Sequence, residues 1–104
     1  MKIEVSVKDR LTIIALLPSS GKMTDLVEVI DLVKLIKFTE EEKMQIGYKE
    51  IDGRITWNPS KEATKEIEIN FEQLRIIKEQ IKKLDKEEKI DLNTLDTCLR
   101  FSKL

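Results

Sequence analysis

Asp52-Gly53 partitions this chain more firmly than any other feature of its sequence. Such a pair suits the two left-handed positions of a type I′ turn, and short runs at 48–51 and 54–57 flank it. It predicts an antiparallel hairpin at mid-chain, so the remaining elements must be arranged before and after that hairpin.

Ahead of it, Ile3, Val5 and Val7 alternate with Lys2, Glu4 and Ser6, the period of a half-buried strand. Ser6 and Asp9 have the spacing of a capping box and open a helix through Leu17, which Pro18-Ser19-Ser20-Gly21 ends. Thr24 is read as the N-cap of a second helix, with Asp25 at its positive end. There Leu26, Val29, Ile30, Val33 and Ile36 share one face, the expected core stripe. Val27, Leu32 and Leu35 fall outside it or at its edge, a surplus that predicts contact with two neighbours. Thr39 and Glu42 start a third, short helix that stops at Gly47.

Beyond the hairpin, Asn58-Pro59-Ser60 ends the second strand. Glu66, Glu68 and Asn70 then alternate with Ile67, Ile69 and Phe71, read as a third strand of the same sheet. A long helix over 72–86 carries Leu74, Ile77, Ile81 and Leu84 at 3-4-3 spacing, a coiled-coil-like seam. Asn93 is read as the cap of a last helix bearing Leu95, Leu99 and Phe101. The expected fold is α+β and a single domain over residues 1–104. It comprises an N-terminal strand, a helical region with winged-helix-like order, a central antiparallel hairpin plus third strand, and two C-terminal helices.

A chain of 104 residues suffices for one thin core, burying roughly two thirds of its unfolded surface. Net charge is −1, so no field of one sign draws the whole molecule to nucleic acid or an anionic membrane. Cys98 stands alone and predicts no internal disulfide. The first residues carry no apolar leader and no run is long enough to span a bilayer, so a cytoplasmic, non-membrane protein is expected. Heavy use of Ile, Lys and Glu with few aromatics matches thermophile proteins, and an AT-rich genome gives the same bias.

The chain has no His, which removes the commonest general base, the Ser-His and Cys-His pairs and most transition-metal sites. Gly21-Lys22 lacks the upstream Gly of a phosphate loop (Leu16 stands there) and the following Ser or Thr (Met23 stands there). Cys98 has no His to lower its pKa and reads as packing. Glu40-Glu41-Glu42 lies in a first helical turn, where acids are favoured without any metal. No catalytic residue, cofactor or metal is expected, and the chain reads as a non-enzyme.

Candidate binding surfaces remain. The expected interface residues are Val27, Leu32, Leu35, Leu74, Ile76, Ile77 and Ile81. Arg75, Lys78, Lys82 and Lys86 form a basic stripe beside the seam and, with Arg54 of the hairpin, are the candidate contacts for an anion or nucleic acid. Trp57 is the candidate anchor, weighed against a role as a core plug. The winged-helix order would place 40–45 in the major groove, but three acids there oppose phosphate.

Lys8-Asp9-Arg10-Leu11, Leu16-Leu17-Pro18-Ser19-Ser20-Gly21, Phe38-Thr39-Glu40-Glu41-Glu42, Ile55-Thr56-Trp57-Asn58-Pro59 and Lys83-Leu84-Asp85 follow one another in order. With them the chain resembles a set of small phage- and prophage-encoded proteins of unassigned function. The resemblance covers most of the chain and transfers no site residues. It implies an accessory protein of a mobile element, often a homo-oligomer that blocks or sequesters a host component. The leading expectation is therefore a homo-oligomeric binding protein acting on a host protein or holding a small anionic ligand. A winged-helix-like nucleic-acid binder and a structural or assembly accessory protein are the alternatives.

Overall fold

Capping boxes set three of the five helix starts in the computed structural model, which describes residues 1–104. Ser6 accepts from the Asp9 N–H while the Asp9 carboxylate accepts from the Ser6 N–H, opening α1 (Val7–Leu16). Thr39 and Glu42 do the same for α3 (Glu40–Ile46), which Gly47 ends at φ 66, a left-handed exit that only glycine takes without strain. Asn70 and Gln73 form the third box, at the head of α4 (Phe71–Lys86). Two helices start without a side-chain cap, α2 (Met23–Ile36) and α5 (Leu95–Ser102). Thr24 lies inside the first turn of α2 rather than capping it. Asp91, not Asn93, ties the turn before α5 by accepting from the Thr94 N–H.

The strands form two separate antiparallel pairs. β2 (Lys49–Ile51) and β3 (Arg54–Thr56) make the hairpin about Asp52 (φ 51) and Gly53 (φ 76). β4 (Lys65–Glu68) does not join it. β4 pairs instead with β1 (Lys2–Val5), Ile3 opposite Ile67 and Glu4 opposite Glu66. The reason is burial: Ile67 and Ile69 need an apolar neighbour on the core side, and β1 offers Ile3 and Val5. The hairpin offers only a half-buried Ile55, while Ile51 is exposed. Phe71 continues no strand, because the Asn70 box turns the chain into α4 one residue before it.

One core cluster draws on Ile3, Val5, Ile67 and Ile69 of the β1–β4 pair, Ile13 and Leu16 of α1, and Leu32 and Ile36 of α2. α4 adds Leu74, Ile77 and Ile81, and α5 adds Cys98 and Phe101. The fold is α+β, with α4 packed against α1, α2 and α5. On α2 the inward face is turned by about a quarter turn from the expected stripe: Ile36 is buried as expected, and Leu26, Val29 and Val33 are half-buried. Leu32 is 1% exposed and Ile36 wholly buried, whereas Ile30, expected inside, is 56% exposed. The Leu74–Ile81 seam faces inward, so Leu32, Leu74, Ile76, Ile77 and Ile81 are core residues, not the partner-facing surface expected of them.

The helices are locked by the adjacent pair Asp9-Arg10. Arg10, 3% exposed, donates from Nε to the Ile36 carbonyl (2.9 Å) and from Nη2 to the Lys37 carbonyl (2.9 Å), closing the C-terminus of α2. Its fork grips Glu42 at 2.7 and 3.1 Å, and its plane lies 3.9 Å from the Phe38 ring centre. Asp9 accepts from the Thr97 hydroxyl (2.6 Å) and the Arg100 guanidinium (2.6 Å) of α5.

The Arg10 fork, opposed in part by burial and aided by the Thr39 N–H, holds the Glu42 carboxyl down at about 2. Burial would raise the Asp9 carboxyl, but bonds from Ser6 and Thr97 and the charge of Arg100 outweigh it, leaving Asp9 below its usual value.

Arg10→Lys keeps the charge but loses the fork, leaving α2 carbonyls unpaired, and should cost about 2–3 kcal/mol, a large share of a small domain's stability. Arg75→Lys, on a solvent-accessible side chain, should lower stability far less; thermal denaturation of the two variants side by side checks the contrast. Both depressed carboxyls contribute stability that is complete above their ordinary values and disappears as pH falls through their folded values. Glu42→Gln should therefore be less stable than the parent near neutrality, the difference closing between 4.5 and about 2 in an acid titration of stability.

Candidate functional site

The most conspicuous side chain on the surface is Phe71, at the first position of α4 and 83% exposed. Its place is fixed by the residues before and after it. The Asn70 side chain accepts from the Gln73 N–H (2.8 Å), the Gln73 side chain accepts from the Asn70 N–H (3.0 Å), and Asn70 Nδ2 donates to Glu28 of α2 (3.1 Å). A large apolar ring in water with its backbone pinned on both sides has the character of an interface anchor: wide contact area and little further ordering on docking.

Two clefts meet at that ring. One, of about 470 Å³, lies between α2, the end of β4 and the start of α4, and its charged walls are Asp31 and Glu68. The other, of about 420 Å³, runs along α4 and carries Lys78 and Lys82. Both share Met1, Phe71 and Leu74, and Leu104 closes the far side of the second. The Met1 amino group donates to the Ile69 carbonyl (3.0 Å), and the Ile69 N–H donates back to the Met1 carbonyl (2.9 Å), fixing the strip's centre. The result is an apolar strip with an acidic end and a basic end.

The basic stripe expected on α4 is divided by this geometry. Arg75 is held by Glu72 (2.8 Å), Asp25 (2.7 Å) and Glu79 (3.0 Å), which push its guanidinium above its usual value; through Asp25 it clamps α2 to α4. Lys78, Lys82 and Lys86 make no ion pair within 4 Å. Arg54 lies on the separate hairpin and lines neither cleft. Of the interface candidates, Leu35 lines the acidic cleft, and Val27 stands exposed with Met23 and Ile30 on the outer face of α2. Trp57 is half-buried, and its Nε1 donates to Glu62 (3.3 Å), which also accepts from the Val7 N–H (2.8 Å) at the head of α1. It joins the hairpin exit to α1 and takes no part in the Phe71 strip.

Phe71 was missed as a surface residue because strand alternation placed it inward. The capping-box spacing Asn70-x-x-Gln73 could have found it, since a helix that starts at Phe71 ends the strand alternation before that residue. No three carboxylate or thiol groups converge in a way that could hold a metal ion, and no helix is long and apolar enough to cross a membrane. Comparison with protein-family models, curated proteins and solved structures finds no match to this chain.

Burial raises the Cys98 thiol above its usual value, a bond to Thr94 only partly countering it. The thiol is therefore protonated and shielded in the native state. A thiol-specific colour reagent at neutral pH should label it slowly, and denaturant should speed the labelling by at least about tenfold. Fast native labelling would contradict the packing seen around α5.

Proposed function

We propose that this chain is a non-enzymatic binding protein whose working surface is the Phe71 strip. The observation that carries this reading is a rigidly held, almost fully exposed phenylalanine between an acidic and a basic cleft. The matching ligand is a protein segment with an apolar side chain to cover Phe71, a cation toward Asp31 and Glu68, and an anion toward Lys78 and Lys82. The lack of His and the shielded Cys98 favour binding over covalent chemistry. The resemblance to phage-encoded accessory proteins fits the same role: an intracellular factor that docks on a host component and blocks or sequesters it.

Nucleic acid is the second reading, favoured by the unpaired Lys78, Lys82 and Lys86. It is opposed by the acids that flank them and by α3, whose Glu40 and Glu41 face solvent. Its signature is retention on DNA or RNA that falls steeply with salt.

Phe71→Ser removes the anchor without touching the core, so thermal stability should stay within about 0.5 kcal/mol of the parent. Retention of any protein from source-cell extract should fall at least about tenfold with Phe71→Ser, and to a lesser degree with Lys78→Glu combined with Lys82→Glu. Partner capture that is equal for the parent and the Phe71 variant sinks this assignment.

A further inference from the structure

We infer that the outer edge of β1 pairs with β1 of a second copy of this chain, antiparallel about a twofold axis through Ile3. The two β1–β4 pairs then form one continuous four-stranded sheet, in the order β4, β1, β1 and β4. This edge meets the Phe71 strip only at Met1, and the pairing does not depend on the reading given to that strip.

The hydrogen-bond parity of the β1–β4 pair comes first. Met1 and Ile69 exchange both backbone bonds, so Ile3 with Ile67 and Val5 with Lys65 are the bonded pairs that follow. The N–H and C=O groups of Lys2 and Glu4 on β1, and of Glu66 and Glu68 on β4, therefore point away from the pair. All four residues are exposed, and no side chain donates to or accepts from their backbone groups. A two-stranded sheet leaves two such edges, and each is a template for another strand.

The two edges differ in charge. Pairing β4 with a second β4 would set Glu66 against Glu68 in both halves, four carboxylates on one face. Pairing β1 with a second β1 in register about Ile3 sets Lys2 opposite Glu4 of the other copy, twice. Lys2 and Glu4 are also the residues whose backbone groups point outward, so one register satisfies the ladder and both ion pairs together. The two Ile3 side chains meet across the axis on the buried face, extending the core rather than exposing it. A one-residue slip would reverse the faces and lose every one of these matches. Parallel pairing would set Lys2 against Lys2.

An internal mismatch points the same way. Glu4 lies directly opposite Glu66 within the β1–β4 pair, and neither carboxylate has a cation within 4 Å. Like charges at facing positions destabilise a strand pair. Lys2 of the second copy supplies the missing counter-charge. The edge is short and buries less than the roughly 800 Å² per partner of a standard interface, so the dimer should dissociate in the micromolar range and weaken with salt.

Sedimentation velocity of the full, tag-free chain over a dilution series tests the pairing. A dimer should form at high micromolar concentration, and amide exchange at Lys2 and Glu4 should slow there relative to dilute protein. Lys2→Glu and Glu4→Lys, each alone, should weaken the dimer at least about tenfold by facing like charges. The double exchange, Lys2→Glu with Glu4→Lys, should restore it, because opposite charges again face one another. Both side chains are exposed, and thermal denaturation of each variant checks that the monomer still folds. Phe71→Ser should leave the dimer unchanged. A strict monomer at high micromolar concentration overturns the proposal, as does a dimer that ignores both single reversals or is lost with Phe71→Ser.

Discussion

Arg10 is nearly inaccessible to water and still finds a partner for each nitrogen it presents, and the helical half of the molecule rests on that fact. Burying a guanidinium is costly unless its donors are met, and here two are met by carbonyls that α2 would otherwise leave open. The remaining partner, Glu42, is itself the closing residue of the α3 capping box, so one side chain sets the exit of α2 and the entry of α3. Asp9, its neighbour, points the other way and fastens α5 through Thr97 and Arg100. Two adjacent residues on α1 thus determine where three other helices lie. No side-chain nitrogen or oxygen in the buried set lacks a partner.

Local chemistry was readable wherever the signal and its effect lie within a few residues. Ser6-Asp9 and Thr39-Glu42 predicted the starts of α1 and α3, and Asp52-Gly53 the hairpin, because caps and turns are decided by short-range hydrogen bonds. The partner of β4 was not readable. Alternation says that one face of a strand is buried, not against which strand, and β1 lies more than sixty residues away. The inward face of α2 was only partly readable, for a related reason. Leu26, Val27, Val29, Ile30, Leu32, Val33, Leu35 and Ile36 surround most of that helix, so its period carries little information about direction. What turned Leu32 inward and Ile30 outward was the anchoring of its C-terminus by Arg10 and of its N-terminal half by Arg75 through Asp25. Neither tie is visible as a pattern.

The candidate surface follows the same logic. Lysines were legible as a basic stripe, but only the fold separates Arg75, consumed by three carboxylates, from Lys78, Lys82 and Lys86, which have no ion partner. The seam of α4 looked like a coiled-coil interface because its spacing suits one. Three helices packed against it, α1, α2 and α5, give α4 enough neighbours of its own kind, and Leu74, Ile77 and Ile81 are spent inside. Phe71 was hidden for the opposite reason: strand periodicity carried one residue too far counts an exposed ring as core.

In the pairing proposed for β1, self-association moves from the apolar helix faces to a polar strand edge. An apolar stripe such as Met23, Val27 and Ile30 specifies area but not register, and it accepts many partners about equally well. An edge of alternating Lys2, Ile3 and Glu4 does the reverse. It contributes little area, yet its backbone groups, its two charges and its one buried side chain are satisfied together in a single antiparallel register. Charged residues on edge strands usually protect against pairing. Lys2 and Glu4 protect β1 against parallel and slipped alignments and leave one alignment open, whereas Glu66 and Glu68 leave β4 none with itself. A weak contact of that kind selects its partner by pattern rather than by strength, which is what a small chain with little surface to spare requires.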